Sequence, residues 1–312
     1  MQSARRYTTL PTFFATQPVL DALNLSNSSP FAFASMEDVQ HFNAVFTDDC
    51  CVLIALTALY CLADAAENAR LDSDTYQRLA AAVLLYGATN AAAVALVAGV
   101  GLATDAADAA PSPSAAYVAV ILLASVPAAA AGASAIVKYG GGFGAAVERT
   151  VEDVKAAAAL RGGVRDSSDA GGYLELFYKY SFWVDLIVCG AFLLSPVSPI
   201  AAVNEYTPSA IYIGHIFELG GVFMLTPVSL VLLDAARRGR LGGSTFKKLN
   251  ISTAAAIACI VGSTLVTFMA DFRLAPDVES SPGGGLYNLY GAVAVSVPYI
   301  AVYLYQGLFA KK

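Results

Sequence analysis

The chain has 312 residues, 57% of them hydrophobic and only 13% charged, with a formal net charge of −6. Soluble globular chains run at about 45–50% apolar and roughly 25% charged, so too few polar side chains are present to cover a water-exposed surface, and a mean hydropathy of +0.61 agrees. Intrinsic disorder is excluded, five cysteines are too sparse for a disulfide scaffold, and an isoelectric point of 4.9 excludes the basic surface that nucleic acid requires.

What remains is an all-α, polytopic integral membrane protein. Residues 1–50 read as an extended N-terminal arm. Its first acid is Asp21, and Arg5 and Arg6 among Ser3, Thr8, Thr9, Thr12 and Thr16 give it the composition of an organelle transit segment. The arm is expected to lie on a partner subunit. Glycosylation sequons stand at Asn24 and Asn27.

A helix needs about 20 mostly apolar residues to cross about 30 Å of hydrocarbon. Seven such stretches follow: Cys51–Ala66, Leu79–Ala103, Ala115–Val137, Tyr178–Ile200, Ser209–Leu233, Ile251–Ala270 and Leu286–Phe309. Together they make one seven-helix transmembrane domain over 51–309. With seven spans the N-terminal tail and the even-numbered loops share a side holding three basic residues, Arg5, Arg6 and Arg273. The opposite side holds fourteen, among them Arg70, Arg78, Arg149, Arg240 and Lys248. Basic residues stay on the cytoplasmic-equivalent face, which predicts N-terminus out and C-terminus in.

The inner loop 138–172 is predicted to carry a short surface helix from about Ala145 to Leu160. Glu148, Glu152 and Asp153 lie toward its positive end and Arg161 toward its negative end. Val147, Val151, Val154 and Ala158 make one apolar stripe.

Helices in lipid associate through close backbone approach. The second span carries a small residue at every fourth position: Gly87, Ala91, Ala95, Gly99 and Ala103. Shorter ladders run through Ala124, Ala128 and Gly132 and through Ala254, Ala258 and Gly262. These faces are expected to pack on other helices or on other integral membrane subunits. Tyr287, Tyr290, Tyr299, Tyr303 and Tyr305 at the ends of the last span suit interfacial anchoring.

Ionisable and amide side chains inside a bilayer point to function. His215 and Glu218 stand one turn apart on the fifth span, Asp185 lies in the fourth, and Asn90 is near the middle of the second. His215, Glu218 and Asn90 are the candidate cofactor-binding residues. His215 is a candidate axial ligand for the magnesium of a chlorophyll, and aromatic faces would hold carotenoid. No other metal site is expected, because the two histidines, His41 and His215, are far apart. In a second reading His215, Glu218 and Asp185 pass protons; in the bland one they hydrogen-bond each other or neighbouring helices.

Other patterns fail. Gly140, Gly142 and Ala145 match a dinucleotide fingerprint by letters but follow a membrane helix, not a strand. The last span has no lysine for a retinal Schiff base. The cysteines read as reduced apolar fillers. No nucleophile and base pair up, so an enzyme is not expected.

Three functions follow. The first is a non-catalytic linker subunit of a large membrane assembly, an algal photosystem–antenna complex in a plastid thylakoid being favoured, with chlorophyll, carotenoid and lipids as its ligands. The second is a proton-coupled secondary transporter using Glu218, His215 and Asp185. This predicts an internal repeat, yet none is evident, and an odd number of spans does not divide evenly. The third is a seven-helix receptor. For the location, mitochondrial inner membrane and plasma membrane stand beside the thylakoid.

Overall fold

The computed structural model describes residues 36–103, 115–158, 170–194, 208–274 and 285–310. Every regular element among them is helical: α1 (Met36–Glu67), α2 (Asp74–Ala103), α3 (Ala115–Tyr139), α4 (Gly142–Ala158), α5 (Ala170–Leu194), α6 (Pro208–Arg237), α7 (Ser244–Leu274) and α8 (Gly285–Phe309). Among the described residues, four of these helices are long and apolar enough to cross a membrane. The stretches are Cys50–Glu67, Asp74–Leu96, Ile121–Tyr139 and Leu219–Arg237.

Two boundaries differ from expectation: α5 begins at Ala170, eight residues before the expected span Tyr178–Ile200, of which residues 195–200 lie outside the described residues, and the arm is shorter. α1 begins at Met36, so residues 36–50 are helical, not extended. That stretch has no glycine or proline to interrupt a helix, and Glu37 and Asp38 sit at its positive end. The rest of the arm, with Asn24 and Asn27, lies outside the described residues. The short helix of the inner loop forms as α4. It follows α3 through a sharp turn in which Gly141 and Gly142 take φ values of 78° and 91°, open to glycine without a steric penalty.

The helix bounds repeat at a constant spacing. α1 and α6 end at Glu67 and Arg237, α2 and α7 begin at Asp74 and Ser244, and α3 and α8 cover Ala115–Tyr139 and Gly285–Phe309; each pair is 170 positions apart. The turns between the first two helices of each set share seven of the sixteen residues over 64–79 and 234–249. Asp64, Ala65, Ala66, Arg70, Leu71, Thr75 and Leu79 recur as Asp234, Ala235, Ala236, Arg240, Leu241, Thr245 and Leu249, with Tyr76 replaced by Phe246 and Arg78 by Lys248.

Geometry follows sequence. The Arg70 amide donates to the Ala65 carbonyl at 2.8 Å, and the Arg240 amide to Ala235 at 2.8 Å. This bond closes a Schellman motif whose left-handed residue is Ala69 at φ 50° in one copy and Gly239 at φ 63° in the other. Arg70 pairs with Asp64 at 2.7 Å and Arg240 with Asp234 at 3.1 Å. Both guanidinium groups then stack on the following aromatic ring, 5.6 Å above Tyr76 and 5.8 Å above Phe246. The expectation of no internal repeat is therefore corrected: α1–α3 and α6–α8 are two copies of one three-helix unit, joined by α4 and α5. The odd helix, α5, is the connector.

The copies pack as a two-fold axis requires. α1 lies against α7, α6 lies correspondingly against α2, and α1 and α6 touch each other. At that self-contact a Cβ on Gly221 would lie 3.0 Å from the Cys51 sulfur, and Cys51 and Gly221 are equivalent positions of the repeat. Buried core residues pair likewise: Ile54 with Met224, Ala58 with Val228, Ala65 with Ala235, Leu79 with Leu249.

Small residues do bring α2 and α3 together, at fewer positions than the ladders suggest. A Cβ on Gly87 would lie 2.6 Å from the Ser125 carbonyl oxygen, and one on Gly132 would lie 2.5 Å from that of Ala80. Further along, Ala95, Ala124 and Ala258 are exposed, and nothing lies within 4 Å of a Cβ on Gly262.

Candidate functional site

The connector α5 carries a polar stripe. Tyr178, Ser181 and Asp185 are spaced three and four apart, so one helical face presents all three. Each meets a different helix of the second copy. The Tyr178 hydroxyl donates to Asn250 Oδ1 on α7 at 2.6 Å. Ser181 Oγ lies 2.7 Å from the Tyr303 hydroxyl on α8. The Ser229 hydroxyl on α6 donates to Asp185 Oδ2 at 2.5 Å.

All except Asp185, which is half-buried, are buried. A buried polar group left without a partner costs roughly 1–3 kcal/mol, so the pairings fix the rotation and height of α5 against the bundle. Aromatic rings close the gaps: Phe177 lies 5.0 Å from Tyr299 and Tyr178 lies 5.7 Å from Tyr303, centroid to centroid.

Asp185 is the chemically distinctive member. Its partner Ser229 stands eight residues before the end of α6 at Arg237, about 12 Å up the helix at 1.5 Å per residue. A serine hydroxyl both donates and accepts. Ser229 donates to the ionised carboxylate, and by rotating its hydroxyl it accepts from the protonated acid. The pair thus holds the group in either protonation state.

A second charged cluster lies at the turn end of the helices. Arg78 grips Asp153 of α4 with two hydrogen bonds of 2.7 and 2.5 Å and reaches Asp234 at 3.6 Å. Asp234 also pairs with Arg238 at 2.9 Å, and Arg237 pairs with Glu175 of α5 at 2.9 Å. These contacts tie α4 and α5 to the base of α2 and α6.

Of the expected site residues, Asn90 is buried and its amide nitrogen donates to the Tyr86 carbonyl of its own helix at 3.1 Å. His215 and Glu218 belong to α6, but their side chains lie outside the described residues. Glu218 stands eleven residues from Ser229, roughly 16 Å along the helix. Tyr303, expected at the interface, is instead buried against α5. Tyrosine joins an apolar ring to a polar tip, so it serves a buried network as readily as a headgroup layer. Tyr178, Ser181, Ser229 and Asn250 escaped the sequence reading. The spacing of Tyr178, Ser181 and Asp185 was the available signal.

Among the described residues no three His, Cys, Asp or Glu side chains gather as metal ligands would. Comparison of the chain with protein-family models, curated proteins and solved structures finds no match.

Proposed function

We propose that this chain is a polytopic membrane protein that moves a small solute by proton-coupled secondary transport. The observation that carries this reading is the parallel repeat: two three-helix units joined through a connector helix. Repeats related by an axis along the membrane normal are one of the two ways secondary transporters are built. With α5 as a single crossing between the copies, both would take the same orientation in a seven-span layout, and the basic residues favour N-terminus out and C-terminus in. Both Arg-bearing turns, at Arg70 and Arg240, then fall on the inner face with the other basic residues. Asp185, seated between the connector and the second copy, is the proton-handling group; Glu218 and His215 belong to the outer half of α6.

Reconstitution into vesicles tests this. Purified chain is incorporated into liposomes carrying a pH-sensitive dye, a pH gradient is imposed, and sugars, amino acids and organic acids are added in turn. Solute-dependent proton movement that Asp185→Asn abolishes, while solute exchange without a gradient persists, supports the reading. Proton movement unchanged in Asp185→Asn removes Asp185 from the mechanism.

A second reading, a non-catalytic subunit of a larger membrane assembly with chlorophyll or carotenoid held at His215, draws support from the close helix packing at Gly87 and Gly132. Absorbance of the chain purified in mild detergent separates the two. Bound pigment lost on His215→Leu, together with co-migrating subunits, favours the assembly.

A further inference from the structure

The two-fold repeat makes one unpaired feature conspicuous. Arg78 and Lys248 occupy equivalent positions at the start of α2 and α7. The Arg78 guanidinium is buried under α4 and held by the Asp153 carboxylate. α4 has no counterpart in the second copy among the described residues. Lys248 is exposed, with no carboxylate in ion-pair distance among the described residues, and its ammonium sits 4.2 Å above the Tyr60 ring. A groove of about 450 Å³ opens beside it between α1 and α7, walled by Leu53, Leu56, Tyr60, Ile251 and Ala255.

The same surface in the other copy is covered at two of these positions, although Leu85, the equivalent of Ala255, is 39% exposed. Tyr60 is 58% exposed and its equivalent Leu230 only 9%; Leu56 is 58% exposed and its equivalent Thr226 half-buried. In the first copy, then, the cation at this position binds an anionic oxygen pair, and the residues equivalent to Tyr60 and Leu56 are the less exposed. In the second copy the cation and the apolar groove are both present without an occupant among the described residues.

We propose that the α1–α7 groove binds one phospholipid with an anionic headgroup, its phosphate on Lys248 and an acyl chain along Ile251, Ala255, Leu56 and Leu53. The charge is complementary, and the layout has the polarity of a lipid. Lys248 stands one turn into α7 from the basic inner face. Ala255 lies seven residues farther, about 10 Å toward the bilayer centre. Tyr60 between them offers an amphipathic ring at headgroup depth. The Thr57 hydroxyl is already bonded to the Leu53 carbonyl at 2.9 Å, so it does not interrupt the apolar wall.

The proposal rests on the membrane reading but not on transport. The test uses the full chain in detergent micelles supplied with either phosphatidylglycerol or phosphatidylcholine, read by native mass spectrometry and by thermal midpoint. Wild type and Lys248→Arg are expected to retain one phosphatidylglycerol and to gain stability from it over phosphatidylcholine. Lys248→Gln should lose the retained lipid and the gain, and Leu56→Trp, which fills the groove without touching the charge, should lose them too. Lys155→Gln, on the exposed side of α4, should behave as wild type.

Equal retention of the two lipids, or retention undiminished in both Lys248→Gln and Leu56→Trp, overturns the site while leaving the membrane fold intact. Cross-linking of a cysteine placed at position 56 to the same cysteine of a second copy, insensitive to added lipid, overturns it in favour of a dimer contact. Recovery of the chain from aqueous buffer without detergent overturns the membrane reading as well.

Discussion

Two equivalent residues test the repeat at its smallest scale. Ala69 and Gly239 both take the left-handed conformation that ends the first helix of each copy, and a Cβ there costs about 1 kcal/mol. Ala69→Gly is therefore expected to stabilise the folded chain by about 0.5–1 kcal/mol and Gly239→Ala to destabilise it by a similar amount. Thermal midpoints in detergent of opposite sign at the two sites establish the shared turn; shifts of the same sign refute it. The α5 network offers a second prediction. Tyr178→Phe leaves Asn250 Oδ1 buried without its donor and should cost roughly 1–3 kcal/mol. Adding Asn250→Leu removes the orphaned acceptor, so the double variant should lose less than the sum of the two single ones. Additive losses in that cycle mean the hydrogen bond contributes nothing. None of these pairings was legible beforehand, because a hydrogen bond joining residues 72 positions apart leaves no local trace. The half that was legible, Asp185 inside an apolar stretch, stood out because carboxylates there are rare.

Helix placement was read well from sequence and helix partnership poorly, for one physical reason. Lipid selects apolar length, which any sliding window detects, whereas partnership depends on which few positions allow backbones to approach. α4 appeared within three residues of its predicted start because its charges and apolar stripe obey a helical period. On the α2 ladder Gly87 meets α3 closely and Ala95 is exposed, while the side chains at Gly99 and Ala103 lie outside the described residues. The repeat itself was missed because the helices share a packing pattern more than residues. Identity concentrates in the turns at 64–79 and 234–249, where the arginine clamp and the left-handed residue restrict what fits. Packing at this scale yields its own prediction. A Cβ on Gly132 would press on the Ala80 carbonyl oxygen, backbone against backbone, with no flexible side chain to yield. Gly132→Val should lower stability by about 1–3 kcal/mol. Gly144→Val, where nothing lies within 4 Å of a Cβ, should not separate α2 from α3. Equal effects on midpoint and on a cross-link between the two helices would show that Gly132 is not a contact.

Across the whole molecule, a two-fold relation demands that some equivalent residues meet each other at the axis, and Cys51 and Gly221 are such a pair. A Cβ at Gly221 would lie 3.7 Å from that of Cys51, inside the range of about 3.5–4.5 Å that disulfides span. Gly221→Cys is expected to oxidise to a cross-link with Cys51 when the purified chain is treated with copper phenanthroline. A protease site inserted between α4 and α5 separates the copies, so the halves run together on a non-reducing gel and apart after reduction. Cys51→Ala in the same background should abolish the link, and Cys50 one position away should not replace it. Were the copies arranged side by side with other faces in contact, equivalent positions would not approach and no such link would form. The outcome bears on mechanism as well as on fold. If a bond at this self-contact halts proton-driven uptake and reduction restores it, the two copies must shift against each other about α1 and α6; uptake that continues with the axis locked confines any motion to α5 and the helices it bolts together.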